Sequence, residues 1–139
     1  MFIEGGTDFG AVAMFRNVIL VEDEPFIAIM VEEMLAELGC DLAGTAHSEN
    51  EAFDLLTKGN VSLALLDIEL GAANSLAVAD SCRDRNIPIV FMTGYTVSEL
   101  PEDCRDTPIL TKPFTQDDLQ IALLRAKPRR ELNETRIES

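Results

Sequence analysis

The chain has 139 residues, of which 47% are hydrophobic, enough for one packed domain and too few for two. Its 25 acidic and 11 basic residues give a formal net charge of −14, which disfavours nucleic-acid binding because phosphate contacts need clustered Lys and Arg. No apolar run is long enough to span a membrane, and the N-terminal residues lack a basic-then-apolar secretory signal, so we expect a cytoplasmic protein.

Short apolar runs alternate with helical patterns along the chain, which is typical of parallel βαβ units. The continuous apolar run Val18–Val21 predicts a strand that is covered on both faces. The predicted strands are residues 18–21, 41–45, 62–66, 87–92 and 108–110. Five strands with about five helices predict one doubly wound α/β domain with helices on both faces of a parallel sheet.

The helical patterns lie between these strands. Apolar residues at three- and four-residue steps predict a first helix, and Ser48 and Thr115 are placed to cap two others. The predicted helices are residues 26–38, 48–58, 74–85 and 115–126. The segment 96–107 is a poor helix candidate because it is short, contains Pro101 and has little apolar periodicity.

The chain ends and the cysteines carry little further signal. Residues 1–15 are predicted to be an N-terminal extension and a candidate for disorder, residues 16–127 the domain, and residues 128–139 a polar tail. The three cysteines form no CxxC pair, so we expect buried, reduced thiols.

Polar groups follow four of the predicted strands, and the carboxyl ends of parallel strands meet at one edge of the sheet, where ligands bind. The groups delivered there are Glu22-Asp23-Glu24, Asp67-Ile68-Glu69, Thr93-Gly94 and Thr111-Lys112-Pro113. Carboxylates packed so closely repel one another unless a cation lies among them, and oxygen ligands favour a hard ion such as Mg²⁺. A lysine and a threonine beside them fit phosphoryl chemistry, with Asp67 as the natural nucleophile.

Each of these groups alone is weak evidence. An acidic turn after a strand is usually solvated surface, a lone Asp at a strand end is commonly a helix cap, and Lys-Pro is a frequent dipeptide. Their occurrence in this order, each at the end of its own strand, is what favours a functional site.

The segments VILVEDEP, ALLDIELG, IVFMTGYT and ILTKPF resemble, in order and spacing, the landmarks of response-regulator receiver domains over residues 17–127. The resemblance implies a flavodoxin-like (CheY-like) fold with strand order 2-1-3-4-5. It implies that Asp67 is the phospho-acceptor and that Glu22, Asp23, Asp67 and the backbone carbonyl of Glu69 bind a divalent cation, Mg²⁺ or Mn²⁺.

The same resemblance implies roles for the groups on the last two strands. Thr93 would be the switch hydroxyl, Lys112 would contact the phosphoryl group, and the Lys112–Pro113 peptide bond would be cis.

The sequence departs from the usual receiver pattern at its switch. The aromatic residue normally three positions before the conserved lysine is replaced by Ile109, so inward rotation of a ring there is not expected. Tyr95, after Thr93 and Gly94, could take over part of this role or could be an ordinary half-buried aromatic. The segment FMTGY resembles the signature of the FAT GUY receiver subgroup with Met92 in place of its alanine, and that subgroup consists largely of single-domain regulators.

We therefore expect a single-domain response regulator of a two-component phosphorelay, and not an enzyme beyond its own phosphorylation and dephosphorylation. A histidine kinase or histidine phosphotransferase would be its donor. It would signal through a downstream protein or act as a phosphate sink, as a monomer or weak dimer. One alternative is a pseudo-receiver, a binding module that ignores phosphate. Another is an aspartyl phosphatase of the haloacid dehalogenase class, disfavoured because Glu69 stands where that class places a second Asp.

Overall fold

The computed structural model describes residues 15–71, 73–94 and 100–126, and for residues 103 and 105 the backbone alone. The strands are β1 Val18–Val21, β2 Leu42–Ala46, β3 Leu63–Asp67, β4 Glu69–Leu70, β5 Ala73–Asn74, β6 Ile89–Thr93 and β7 Ile109–Thr111. The helices are α1 Pro25–Glu37, α2 Glu49–Lys58, α3 Leu76–Asp84, α4 Glu102–Arg105 and α5 Gln116–Arg125. The predicted polar tail lies outside the described residues, as does the predicted extension except for Phe15.

Five strands form one parallel sheet in the order β2-β1-β3-β6-β7. Counted without the short pair β4 and β5, this is the predicted order 2-1-3-4-5, so the flavodoxin-like topology is confirmed. The strands β4 and β5 form a separate antiparallel pair of two residues each, which the sequence analysis did not predict.

Alternate residues of the central strands face opposite sides of the sheet, and each side is covered by helices. Val18 and Leu20 pack on the side covered by α1 and α5, whereas Ile19 and Val21 pack on the side covered by α2 and α3. Because both faces are covered, all four residues of β1 are buried, as its continuous apolar run predicts. Phe15 is also buried among the core residues of the first side, so the packed domain begins before residue 16.

Local hydrogen bonds explain where the helices begin. The Ser48 hydroxyl accepts from the Glu51 amide, and the Glu51 carboxylate accepts from the His47 amide. In α5 the exchange is reciprocal between Thr115 and Asp118, which makes a complete capping box. Both helices thus start at the capping residues that the sequence indicates.

Two segments differ from the predicted elements. Residues Ala73 and Asn74 pair in the short ladder with β4, so α3 begins at Leu76 instead of at residue 74. Within the weak segment 96–107, the residues that the structure describes include the four-residue helix α4.

The three cysteines are buried thiols, as predicted. Burial, together with Asp41, raises the pKa of the Cys40 thiol to about 11, and burial raises that of Cys82 to about 12. These two thiols are therefore protonated at neutral pH.

No helix in the described part of the chain is long and apolar enough to cross a bilayer.

Leu66 tests how far the two-sided core stabilises the central strand that carries Asp67. Leu66 is fully buried in β3, whereas Leu42, on the edge strand β2, is 37% exposed. We expect Leu66→Ala to lower the free energy of unfolding by about 3 kcal/mol and Leu42→Ala by less than about 1 kcal/mol. Urea unfolding followed by circular dichroism measures both, and equal losses would contradict this description of the core.

Candidate functional site

The groups predicted to converge do lie at one edge of the sheet. Glu22 directly follows β1, Asp67 ends β3, Thr93 ends β6 and Lys112 directly follows β7. Since β1, β3, β6 and β7 are consecutive neighbours in the sheet, their carboxyl ends bring these side chains together, as expected for an open parallel sheet.

Lys112 connects two of the acids. Its Nζ lies 2.9 Å from Glu22 Oε1 and 2.8 Å from Asp67 Oδ2. Glu22 is fully buried and Asp67 is 2% exposed, so both carboxylates have lost most of their contact with water. Burying an ion without a partner costs about several kcal/mol of desolvation free energy. The attraction between the two charges of a close ion pair can offset a cost of this size. The ammonium therefore compensates for part of the buried negative charge.

Asp23 adds a third carboxylate at the same place. One side-chain oxygen from each of Glu22, Asp23 and Asp67 lies within 4.8 Å of the other two. Three carboxylates against one ammonium leave an excess of negative charge that a hard divalent cation would neutralise, and an all-oxygen donor set is the kind that Mg²⁺ prefers. Glu69, whose carbonyl is the further expected ligand, donates its backbone amide to Asp67 Oδ1 at 3.1 Å.

The crowding perturbs the acid–base properties of Asp67 and Lys112. Burial, together with the nearby Glu22 carboxylate, raises the pKa of Asp67 to about 7, although the hydrogen bond from Lys112 opposes this rise. Burial alone would lower the pKa of Lys112, but its hydrogen bonds to Asp67 and Glu22 outweigh burial and raise it above its usual value. Lys112 is therefore positively charged at neutral pH. The fraction of Asp67 that is ionised at neutral pH instead depends on the charges around it.

The side chain of Glu69 makes a contact that the sequence analysis missed. Its Oε2 accepts a hydrogen bond of 2.8 Å from the fully buried Thr93 hydroxyl, and its Oε1 lies 3.5 Å from the Gly94 amide nitrogen. The sequence analysis assigned Glu69 a role through its backbone carbonyl alone. The available signal was the order of strands, since β3 and β6 are neighbours and a residue two positions beyond β3 can reach the end of β6.

His47 also lies beside the site. Its Nδ1 is 3.0 Å from the Glu22 carbonyl oxygen, to which it donates when Nδ1 carries a proton. His47 follows β2, the neighbour of β1. The short turn beyond β4 also lies close to the site, since a Cβ added to Gly71, at φ 58°, would be 3.7 Å from Asp23 Oδ2.

Three further predictions concern the Lys112–Pro113 peptide bond, Ile109 and Tyr95. The Lys112–Pro113 peptide bond is cis. Ile109 is partly buried at the start of β7 and, with Phe114 and Ile121 among other residues, lines a surface cavity of about 320 Å³. Tyr95, predicted as a possible switch residue, lies outside the described residues.

Comparison with known proteins identifies sequence and structural relatives. The family described as "response regulator receiver domain" matches residues 18–124. The transcriptional regulatory protein PdtaR of Mycobacterium tuberculosis is 31% identical over 119 residues, which cover 83% of this chain and 58% of PdtaR. The chain thus spans little more than half the length of this curated relative.

Two solved structures are similar over nearly their whole length. The solution structure of SdrG from Sphingomonas melonis Fr1 superposes with a TM-score of 0.71 at 36% identity, covering 79% of this chain and 96% of SdrG. The response regulator TrrA of Thermotoga maritima, in a complex with Mg²⁺ and beryllium fluoride, superposes with a TM-score of 0.71 at 27% identity, covering 81% and 99%.

Neutralising Asp67 should stabilise the metal-free protein in a pH-dependent way. An Asp whose pKa is raised in the folded state binds its proton more tightly there, so its contribution to stability is full below about pH 4 and is lost as pH rises through about 7. We expect Asp67→Asn to raise the free energy of unfolding at pH 8 by on the order of 1 to 2 kcal/mol, with little effect near pH 4.

Denaturant unfolding at the two pH values, in the presence of a chelator, measures this difference. Asp54→Asn, on the exposed face of α2, is the matched control and should change stability by less than about 0.5 kcal/mol. A gain for Asp67→Asn that is equal at both pH values would show that the buried charge is not its cause.

Proposed function

Because the chain belongs to the response regulator receiver domain family, we propose that it accepts a phosphoryl group on Asp67 from a histidine kinase or histidine phosphotransferase. Mg²⁺ or Mn²⁺, bound by Glu22, Asp23, Asp67 and the backbone carbonyl of Glu69, would assist the transfer. The proposed output is an interaction with a downstream protein or the removal of phosphoryl groups from the pathway.

One observation carries this proposal, the pair of close contacts from Lys112 to Glu22 and Asp67. A structural ion pair needs only one carboxylate, but here one ammonium serves two that are buried, and Asp23 adds a third nearby. Such an arrangement suits a site that receives further positive charge and then an anion. The complex of the related TrrA with Mg²⁺ and beryllium fluoride supports this assignment by similarity.

The proposed chemistry uses the carboxylate of Asp67 as nucleophile. A carboxylate oxygen attacks the phosphorus of the donor phosphohistidine, a P–O bond forms, and the P–N bond breaks with its electron pair leaving on the imidazole. Lys112 lies 2.8 Å from Asp67 Oδ2 and can stabilise the negative charge of the transferred group. A bound divalent cation would supply further positive charge to the phosphoryl oxygens.

The proposed switch rests on Thr93 and Gly94. Thr93 ends β6, next to the acceptor strand β3, and Gly94 follows it. Together they offer a hydroxyl and an amide to a phosphoryl oxygen. Ile109 has no ring to rotate inward, so the aromatic displacement common in the family is not part of the proposal. We keep Tyr95 as a candidate switch residue. Membership of the FAT GUY subgroup likewise stays a proposal.

A phosphodonor has to cover the surface next to Asp67. The helix α1 begins two residues after Asp23, and its outer face carries Phe26, Ile29 and Met30, which are 80%, 51% and 51% exposed. Large apolar side chains exposed together mark interaction surfaces. We assign this stripe to the helical surface of the donor, because a donor seated there can present its phosphohistidine to the neighbouring acceptor.

Intact mass spectrometry after incubation with acetyl phosphate tests the proposed function. We expect one phosphoryl adduct on the wild type in the presence of Mg²⁺, none with a chelator, and none on Asp67→Asn. Asp54→Asn is the control and should be labelled like the wild type. An adduct that persists on Asp67→Asn would assign the acceptor to another residue, and no adduct from acetyl phosphate or from any histidine donor would favour the pseudo-receiver.

Substitution of Phe26 separates donor recognition from chemistry. With a phosphorylated histidine donor protein that labels the wild type, Phe26→Ala should slow transfer by about tenfold, the effect of losing one well-packed aromatic contact. Labelling by acetyl phosphate should be unchanged, because that donor needs no docking surface. The matched control is Ile121→Ala, 52% exposed on α5, and slower transfer in this variant to the same extent would contradict docking on α1.

A further inference from the structure

The carboxylate of Glu69 has no part in the transfer chemistry described above, yet it lies against both groups of the proposed switch. The Thr93 hydroxyl donates to its Oε2 at 2.8 Å, and the Gly94 amide nitrogen is 3.5 Å from its Oε1. A carboxylate offers two oxygens with negative charge, as a phosphoryl group does, so it satisfies the same two donors.

We propose that Glu69 is a positioning residue that acts through Thr93, holding its hydroxyl until phosphorylation of Asp67 displaces the Glu69 carboxylate. This inference rests on the proposed function. The Thr93 hydroxyl has one hydrogen and can donate to only one acceptor at a time. The Glu69 carboxylate and a phosphoryl oxygen therefore compete for it, and Glu69 weakens the response to phosphorylation.

The backbone of Glu69 is hydrogen-bonded on both sides, so we assign the change to its side chain. The Glu69 amide donates to Asp67 Oδ1 at 3.1 Å, and Glu69 pairs with Asn74 in the antiparallel ladder of β4 and β5. The residue is thus attached to the phospho-acceptor by its backbone and to the switch by its side chain. A new phosphoryl group on Asp67 would bring like charge next to the Glu69 carboxylate and favour its departure from Thr93.

The neighbouring charges assign the carboxylate of Glu69 to the switch, whereas only its backbone carbonyl is a proposed metal ligand. Among the described residues, the acidic cluster with mutually close ligand oxygens consists of Glu22, Asp23 and Asp67, without the Glu69 carboxylate. Lys112 contacts Glu22 and Asp67. The site therefore has two halves. In one, Lys112 neutralises charge around Asp67, and in the other the Glu69 carboxylate accepts the hydrogen bond of the Thr93 hydroxyl.

Beryllofluoride binding in the presence of Mg²⁺ tests the inference, since this anion mimics a phosphoryl group on a carboxylate without a chemical step. The dissociation constant is measured by ¹⁹F NMR for the wild type, Glu69→Ala, Thr93→Ala and the double variant. We expect Glu69→Ala to bind about tenfold more tightly, the effect of removing one competing charge-assisted hydrogen bond. In the Thr93→Ala background the same substitution should have a clearly smaller effect, because the hydroxyl for which Glu69 competes is gone and only the Gly94 contact and the charge of Glu69 remain.

Two further variants control for charge and folding. Glu37→Ala, exposed near the end of α1, removes the same charge away from the site and should leave the dissociation constant unchanged. Glu69→Gln keeps the size of the side chain and a weaker, neutral acceptor, so its affinity should lie between those of the wild type and Glu69→Ala. This variant also decides the matter if the alanine variant is unstable.

The outcomes separate this inference from the proposed function. Equal affinity in the wild type, Glu69→Ala and Glu69→Gln would overturn the inference and leave the phospho-acceptor assignment intact. An equal gain with and without the Thr93 hydroxyl, or an equal gain in Glu37→Ala, would also overturn it, since Glu69 would then act by charge alone. No binding by either the wild type or Glu69→Ala would overturn the proposed function, and the inference with it.

Discussion

Lys112 places one ammonium between two buried carboxylates, 2.9 Å from Glu22 and 2.8 Å from Asp67. These two contacts connect the ends of β1, β3 and the segment after β7, and the sheet order β2-β1-β3-β6-β7 makes them possible. Burial, together with the neighbouring Glu22 carboxylate, raises the pKa of Asp67 to about 7, and with Asp23 the cluster keeps an excess of negative charge. The same excess of negative charge favours binding of a cation. The bound cation would in turn reduce the repulsion that an anionic group meets at the site.

Two neighbouring strand ends have different chemical properties. At the end of β3, charged side chains surround Asp67, whereas at the end of β6 the Thr93 hydroxyl and the Gly94 amide are hydrogen-bond donors for an oxygen. Glu69 belongs to both regions, through its amide on Asp67 and its carboxylate on Thr93. If the proposed function holds, acceptance of a phosphoryl group and the response to it would be coupled through the short segment after β3.

The sequence predicts the sheet and the main site residues because both depend on local pattern. The apolar run Val18–Val21 predicts a strand buried on both faces, and polar residues after each strand must meet at one edge once the strands are parallel. The start of α3 was not predictable in this way, because Asn74 is drawn into a ladder with β4 by pairing across a turn. The contact of Glu69 with Thr93 joins two side chains, and that of His47 joins a side chain to the backbone carbonyl of Glu22, in each case between residues at or just beyond different strands. They depend on side-chain directions that a one-dimensional pattern does not contain.

Titration with Mn²⁺, followed by ¹H–¹⁵N NMR, tests the central claim that the excess carboxylates form a divalent-cation site. Because paramagnetic broadening falls steeply with distance, we expect it first in the amides of residues 22, 23, 67 and 69. Mg²⁺ added in excess should restore the signals, and Asp67→Asn should need more Mn²⁺ for the same broadening. Broadening that instead spreads over the acidic helix surfaces, or that spares these residues, would contradict the account.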